Sequence, residues 1–129
     1  VQTPFDFRYL KPIGREINEA NVQLAAGKGY DHNYALRSSC RNEPAAILYA
    51  PKTGIKMEVS TTLPGLQVYT ANVLSERKGK NGAVYRPNAA VCLEAQFFPN
   101  AMACDAYEKP ILKAGARYLH RTDFRFCAE

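Results

Sequence analysis

Glu94 is the carboxylate of this sequence best placed to move a proton. It stands inside residues 91–97, Val-Cys-Leu-Glu-Ala-Gln-Phe, a run that reads as a β-strand. Side chains alternate along a strand, so Glu94 shares a face with Cys92 and Gln96, while Val91, Leu93, Ala95 and Phe97 face the other way. An acid among apolar and amide neighbours is expected in partly desolvated surroundings. Desolvation lifts a carboxyl pKa toward the range where the group works as a general base. From alternation alone, a solvent-facing glutamate on a half-exposed sheet is the stronger reading.

Asp31 and His32 follow a turn at Gly27 and Gly29 and open a second strand. Adjacent strand residues point to opposite faces, so the two are not expected to serve one site. An aspartate here can accept hydrogen bonds from two vicinal hydroxyls, the recognition chemistry of a sugar; the competing role is a turn residue bonding its own backbone. Gln67 and Tyr69 share one face of a third strand. An amide beside an aromatic plate suits a pyranose ring, whose C–H face packs on aromatics while its hydroxyls seek polar partners. Taken singly, each of these two residues reads better as an ordinary cross-strand contact. His32 and His120 read as structural histidines.

The elements that must position these residues are short. Residues 55–61 alternate, with Ile55, Met57 and Val59 on one face and Lys56, Glu58 and Ser60 on the other. Their hairpin partner is residues 45–50, joined through a turn at 51–54. Residues 66–70 follow Pro64 and Gly65, a pair suited to a type II turn in which glycine supplies the positive φ. Residues 117–126 form a long last strand, apolar at Tyr118, Phe124 and Phe126 and charged at Arg117, Arg121 and Arg125. Residues 16–26 read either as a short helix or as a turn-rich loop. Strands at short spacing with turns between them predict an all-β fold, a sandwich or part of one.

Composition narrows the function classes. The 129 residues are 47% hydrophobic and 22% charged, which suits one folded domain over residues 1–129 and argues against disorder. The longest apolar runs are only a few residues, so no membrane-spanning helix is expected. No charged-then-apolar leader opens the chain, and it starts at Val1 rather than Met, which hints at a segment upstream. The net charge of +5 could suit an anionic polymer, but the basic residues are scattered, with only Arg77, Lys78 and Lys80 clustered. A nucleic-acid binder concentrates them on one face, so no nucleic-acid partner is expected. Cys40, Cys92, Cys104 and Cys127 show no zinc-like spacing with His32 or His120. Free thiols in a reducing compartment are the expectation, with no metal site and a cytoplasmic location.

Four motifs taken together point further. Residues 4–8 (Pro-Phe-Asp-Phe-Arg), 29–34 (Gly-Tyr-Asp-His-Asn-Tyr), 61–72 (Thr-Thr-Leu-Pro-Gly-Leu-Gln-Val-Tyr-Thr-Ala-Asn) and 92–96 (Cys-Leu-Glu-Ala-Gln) stand in an order and spacing that resemble the aldose 1-epimerase (galactose mutarotase) family. The ending looks like that family's last strand: residues 110–115, then Tyr118 and residues 124–126. The resemblance covers nearly the whole chain. It implies a large antiparallel β-sandwich, the galactose mutarotase-like supersandwich, of which residues 1–129 form the C-terminal part. It also implies a cofactor-free isomerase that interconverts the α and β anomers of free hexoses such as galactose or glucose. On this resemblance Glu94 matches the catalytic glutamate, which takes the anomeric proton and returns it. Asp31 matches an aspartate that binds sugar hydroxyls, Gln67 a glutamine that contacts the sugar, and Tyr69 an aromatic position of the same site.

The departures set further expectations. Family chains are more than twice this length, and their general-acid and sugar-orienting histidines and a sugar-binding arginine lie upstream of the Pro-Phe-Asp-Phe-Arg motif. The acid is therefore expected from outside these residues. Val68 stands where an aromatic is common and Ala71 where glycine is common, which is awkward if the backbone there needs a positive φ. Half a sandwich exposes sheet edges and an apolar face. An N-terminal half on the same precursor, a second chain, or self-association is expected to cover them. The alternatives are a non-catalytic sugar-binding module and a hexose-6-phosphate mutarotase, the latter needing arginine or lysine at the phosphate.

Overall fold

Residues 51–54 reverse the chain: proline fixes φ, and the Thr53 and Gly54 N–H groups both donate to the Ala50 carbonyl at 3.0 Å. The expected hairpin forms around this turn. The computed structural model describes residues 3–37 and 43–128; Cys40 lies outside them. Among the described residues the strands are β1 (Asp31–Ala35), β2 (Ala46–Ala50), β3 (Ile55–Thr61), β4 (Gly65–Tyr69), β5 (Arg77–Lys78), β6 (Val84–Tyr85), β7 (Cys92–Gln96) and β8 (Thr122–Ala128). The helix α1 (Val22–Gly27) and three 3-10 turns complete the secondary structure. The fold is all-β, as the alternation predicts. The strands pair in three sheets, ordered β1-β4-β7, β2-β3-β8 and β5-β6. The chain divides into two compact units, residues 1–32 with 67–93 and residues 33–66 with 94–129. The boundary falls inside β1, β4 and β7 and not in a linker.

In the first unit Tyr30 is fully buried. Phe5 and Phe7 meet its ring edge-on, with centroids 5.8 and 5.1 Å away, and its hydroxyl donates to the Pro4 carbonyl at 2.9 Å. The Pro-Phe-Asp-Phe-Arg motif is thus a strap over one tyrosine, each aromatic contact contributing about 0.5–1.5 kcal/mol beyond its buried area. Residues 16–26 combine the two forms expected of them. Turns run as far as Asn21, whose side-chain oxygen caps α1 by accepting the Gln23 and Leu24 N–H groups, at 2.9 and 3.4 Å. Lys28, left-handed at φ 55°, ends the helix.

In the second unit β3 is the centre of an antiparallel sheet, with β2 and β8 on its edges. Ile55, Met57 and Val59 stand opposite Ala128, Phe126 and Phe124, and the same face continues through Ala46, Leu48 and Ala50. Val59 is fully buried, whereas Phe124 and Phe126 are 50% and 66% exposed. The opposite face carries charge in pairs. Glu58 lies opposite Arg125 at 3.5 Å and 3.7 Å from Lys56, and Arg121 reaches Asp123 at 2.7 Å.

Two expectations are corrected. The last strand starts at Thr122, not 117, because Arg121 already turns its N–H onto the Thr62 hydroxyl at 3.0 Å. Gly65 has no positive φ; it is the first residue of β4. Glycine is needed there for space, since a Cβ would lie 2.5 Å from Asn33 Oδ1 and 3.1 Å from the Gln96 carbonyl.

Candidate functional site

Asp31 is aimed by a buried polar knot just ahead of β1. The Thr70 N–H donates to the Tyr30 carbonyl at 3.0 Å, and the Tyr30 N–H donates to the Thr70 hydroxyl at 3.2 Å. Asn72 completes the knot, its amide donating to the Gly27 and Tyr30 carbonyls at 2.8 and 2.9 Å while its oxygen accepts from the Thr70 hydroxyl. Gly29, at φ 132°, lets this side chain in, because a Cβ there would lie 2.6 Å from Asn72 Oδ1. Both polar atoms of the Asn72 side chain are used, which makes its burial tolerable.

The knot brings two of the expected residues together. Gln67 Nε2 donates to Asp31 Oδ1 at 2.7 Å, a charge-assisted bond between residues 36 apart in sequence. Asp31 is exposed and Gln67 half-buried, so the pair is open at the surface. Asp31 is therefore not bonding its own turn. Tyr69, half-buried on the same strand face as Gln67, accepts the Val73 N–H on its hydroxyl at 3.3 Å and so pins the segment after β4. His32 plays the structural part expected of it: its ring packs on Phe5 with centroids 4.6 Å apart, and its Nδ1 accepts the Asp31 N–H at 3.0 Å. His120 does likewise, meeting the Thr62 hydroxyl at 3.1 Å, Phe97 edge-on and the tilted ring of Tyr118.

Glu94 occupies the middle of β7, as expected, with Gln96 two residues along on its face. Its surroundings differ from the expectation: Glu94 is exposed while its strand neighbours are half-buried. The strand forms, but no described residue dries the carboxylate. Gln96 Nε2 donates to Asn33 Oδ1 at 3.1 Å, above Gly65. In the N-terminal strap Arg8 grips Asp6 with two bonds, Nε to Oδ1 at 2.8 Å and Nη2 to Oδ2 at 2.6 Å. These bonds hold the Asp6 carboxyl well below the usual carboxylate range.

The sequence profile of aldose 1-epimerase matches residues 1–125. The chain belongs to the aldose 1-epimerase family. It is 38% identical over 125 residues to galactose mutarotase of Sus scrofa and 36% identical to that of Homo sapiens, in each case across 96% of this chain and 35% of the relative. Against aldose 1-epimerase of Haemophilus influenzae the identity is 35% over 128 residues, 98% of this chain and 37% of that one. The chain thus spans about a third of the length of the curated relatives it matches. The crystal structure of a GalM/aldose epimerase homologue from C. elegans superposes with a TM-score of 0.77 at 22% identity, over 99% of this chain and 38% of that one, which supports the same fold.

Within this family member the aiming residues are the ones that reading from motifs passed over. Asn72, Asn33 and Gln96 all lie in the quoted motifs, yet nothing in their local spacing assigns them a task. An asparagine three residues after a strand, as at Asn72, is the available signal. Ala71 has φ 52° and is buried, so the awkwardness expected of alanine at that position is real.

Proposed function

We propose that this chain carries the general base and part of the sugar-binding surface of an aldose 1-epimerase acting on free hexoses. The observation that carries the reading is the hydrogen bond between Asp31 and Gln67. Two residues from separate motifs, each matched to a sugar contact, share one open surface pair that presents carboxylate and amide to hydroxyl groups. In this reading Glu94 accepts the proton of the C1 hydroxyl as the ring C–O bond opens. An acid protonates the ring oxygen, the aldehyde turns about C1–C2, and the ring recloses on its other face with both protons returned. Each proton-transfer partner contributes roughly 10²–10⁴-fold. His32 and His120 are engaged in packing, so the acid comes from outside these residues.

Polarimetry on freshly dissolved α-galactose and α-glucose tests the reading. In a full-length mutarotase carrying this segment, Glu94→Gln lowers the rate by roughly 10²–10⁴-fold. An unchanged rate removes Glu94 as the base. The isolated 129-residue chain is inactive or feeble. Its lack of an engaged acid favours a second reading for it alone, a sugar-binding module, which NMR titration would reveal as saturable galactose binding without anomer exchange. A hexose-6-phosphate substrate is less well supported, because Arg8 is committed to Asp6 and Arg125 faces Glu58.

We take the two units as parts of one sandwich domain, since their boundary runs within three strands. The open apolar face at Phe124 and Phe126 supports a covering partner, which we assign to an N-terminal half on the same precursor or on a second chain. The free, half-buried thiols of Cys92, Cys104 and Cys127 support the cytoplasm as location.

A further inference from the structure

After β7 the chain makes a tight series of turns that no role above explains. The Ala101 N–H donates to the Phe98 carbonyl at 3.1 Å, Cys104 to Ala101 at 3.3 Å, and Tyr107 to Cys104 at 3.1 Å. These turns point several carbonyls inward at one spot, and the Lys109 ammonium fills it. Its Nζ lies 2.9 Å from the Ala101 carbonyl, 3.3 Å from Met102, 2.6 Å from Cys104 and 3.3 Å from Asp105 Oδ1. Four oxygens thus surround a group with three N–H donors. Ala101, at the floor, is buried, the Lys109 side chain is 28% exposed, and Asp105 stands fully exposed at the rim. The loop closes with the Tyr107 ring edge-on to Phe98, centroids 4.8 Å apart. Phe98 in turn stands where a Cβ on Gly65 would be 3.0 Å from its ring.

The Nζ···O distances of 2.6–3.3 Å are hydrogen bonds of an ammonium, and three of the four exceed the roughly 2.3–2.6 Å of calcium and all exceed the roughly 2.0–2.1 Å of magnesium. They suit an ammonium or a large monovalent ion, which carbonyl oxygens hold by replacing its hydration shell. We propose that residues 101–109 form a carbonyl cage for a monovalent cation, filled in this chain by its own tethered Lys109, and that this cation sets the position of Tyr107. Lys109 is a positioning residue. Without the positive charge, the carbonyls of Ala101, Met102 and Cys104 lose the partner they share, backbone N–H groups such as those of Cys104 and Tyr107 alone hold the turns, and the loop opens.

Hydrogen exchange on the chain reads this out at the amides of Cys104 and Tyr107. In Lys109→Met and Lys109→Ala these amides exchange at least about tenfold faster, while those of β3 stay slow and show that the sheet persists. Potassium or ammonium chloride restores protection in Lys109→Ala, and choline chloride at equal ionic strength does not. Undiminished protection in Lys109→Met, or no recovery of Lys109→Ala with either ion, overturns the cage. In the unaltered chain the ammonium protons of Lys109 exchange at least about tenfold more slowly than those of the exposed Lys52, Lys80 and Lys113. Equal rates overturn the proposal even where a variant fails to fold.

Discussion

The phenol of Tyr30 is closed in by Phe5 and Phe7, with its hydroxyl spent on the Pro4 carbonyl. Burial, aided by the nearby Glu16 and Glu19 carboxylates, pushes its pKa up to about 12. The folded state therefore prefers the protonated phenol. The stability tied to this preference is complete below the unfolded value near pH 10 and is lost as the pH rises toward about 12. Tyr30→Phe costs about 1 kcal/mol at neutral pH, through the lost hydrogen bond, and reduces the alkaline loss. Urea titrations of both chains at neutral pH and near pH 11 check it; the two curves should draw together at the higher pH. Ala71 gives a prediction of opposite sign. Its left-handed backbone strains an alanine, so Ala71→Gly raises stability by about 0.5–1 kcal/mol in the same titration. At this scale much was legible, because Ala71 could be flagged from the family's glycine alone. The pairing of Asp31 with Gln67 was not, since no local rule links residues 36 apart.

At the level of elements, residues 55–61 were readable because their two faces differ so sharply and because Pro-Lys-Thr-Gly is turn chemistry on both sides of any register. Gly65 was misread for an instructive reason. Pro-Gly is a turn signature, whereas its actual task is to let Asn33 and the Gln96 carbonyl come close, and both lie on other strands. Gly65→Ala pushes Asn33 away, breaks its bond to Gln96 and meets a backbone carbonyl that cannot swing aside. The cost is about 1–3 kcal/mol, with the Gln96 side-chain amide signals in NMR moving toward their free positions. Unmoved signals would mean that the strands relax around the methyl group. The start of β8 escaped notice because residues 117–121 have strand-like composition, while His120 and Arg121 are spent on Thr62.

For the molecule as a whole, the charged face of the β2-β3-β8 sheet is internally paired, which weakens any case for an anionic polymer despite the net charge of +5. Its other face leaves Ile55, Phe124 and Phe126 about half exposed or more, on a sheet whose two outer strands pair with no further strand among the described residues. The isolated chain therefore self-associates, and sedimentation shows its average mass rising with concentration; Phe124→Lys with Phe126→Lys shifts it toward monomer. A strictly monomeric parent chain would remove that expectation. Half of a layered fold was foreseeable from the family motifs, while the dryness expected around Glu94 was not met, because drying a carboxylate takes atoms that these residues do not supply. One practical benefit follows from the sealed tyrosine. The chain has eight tyrosines and no tryptophan. The late ionisation of Tyr30 makes its phenol an internal ultraviolet reporter, whose phenolate band should appear at lower pH once the strap over it lifts.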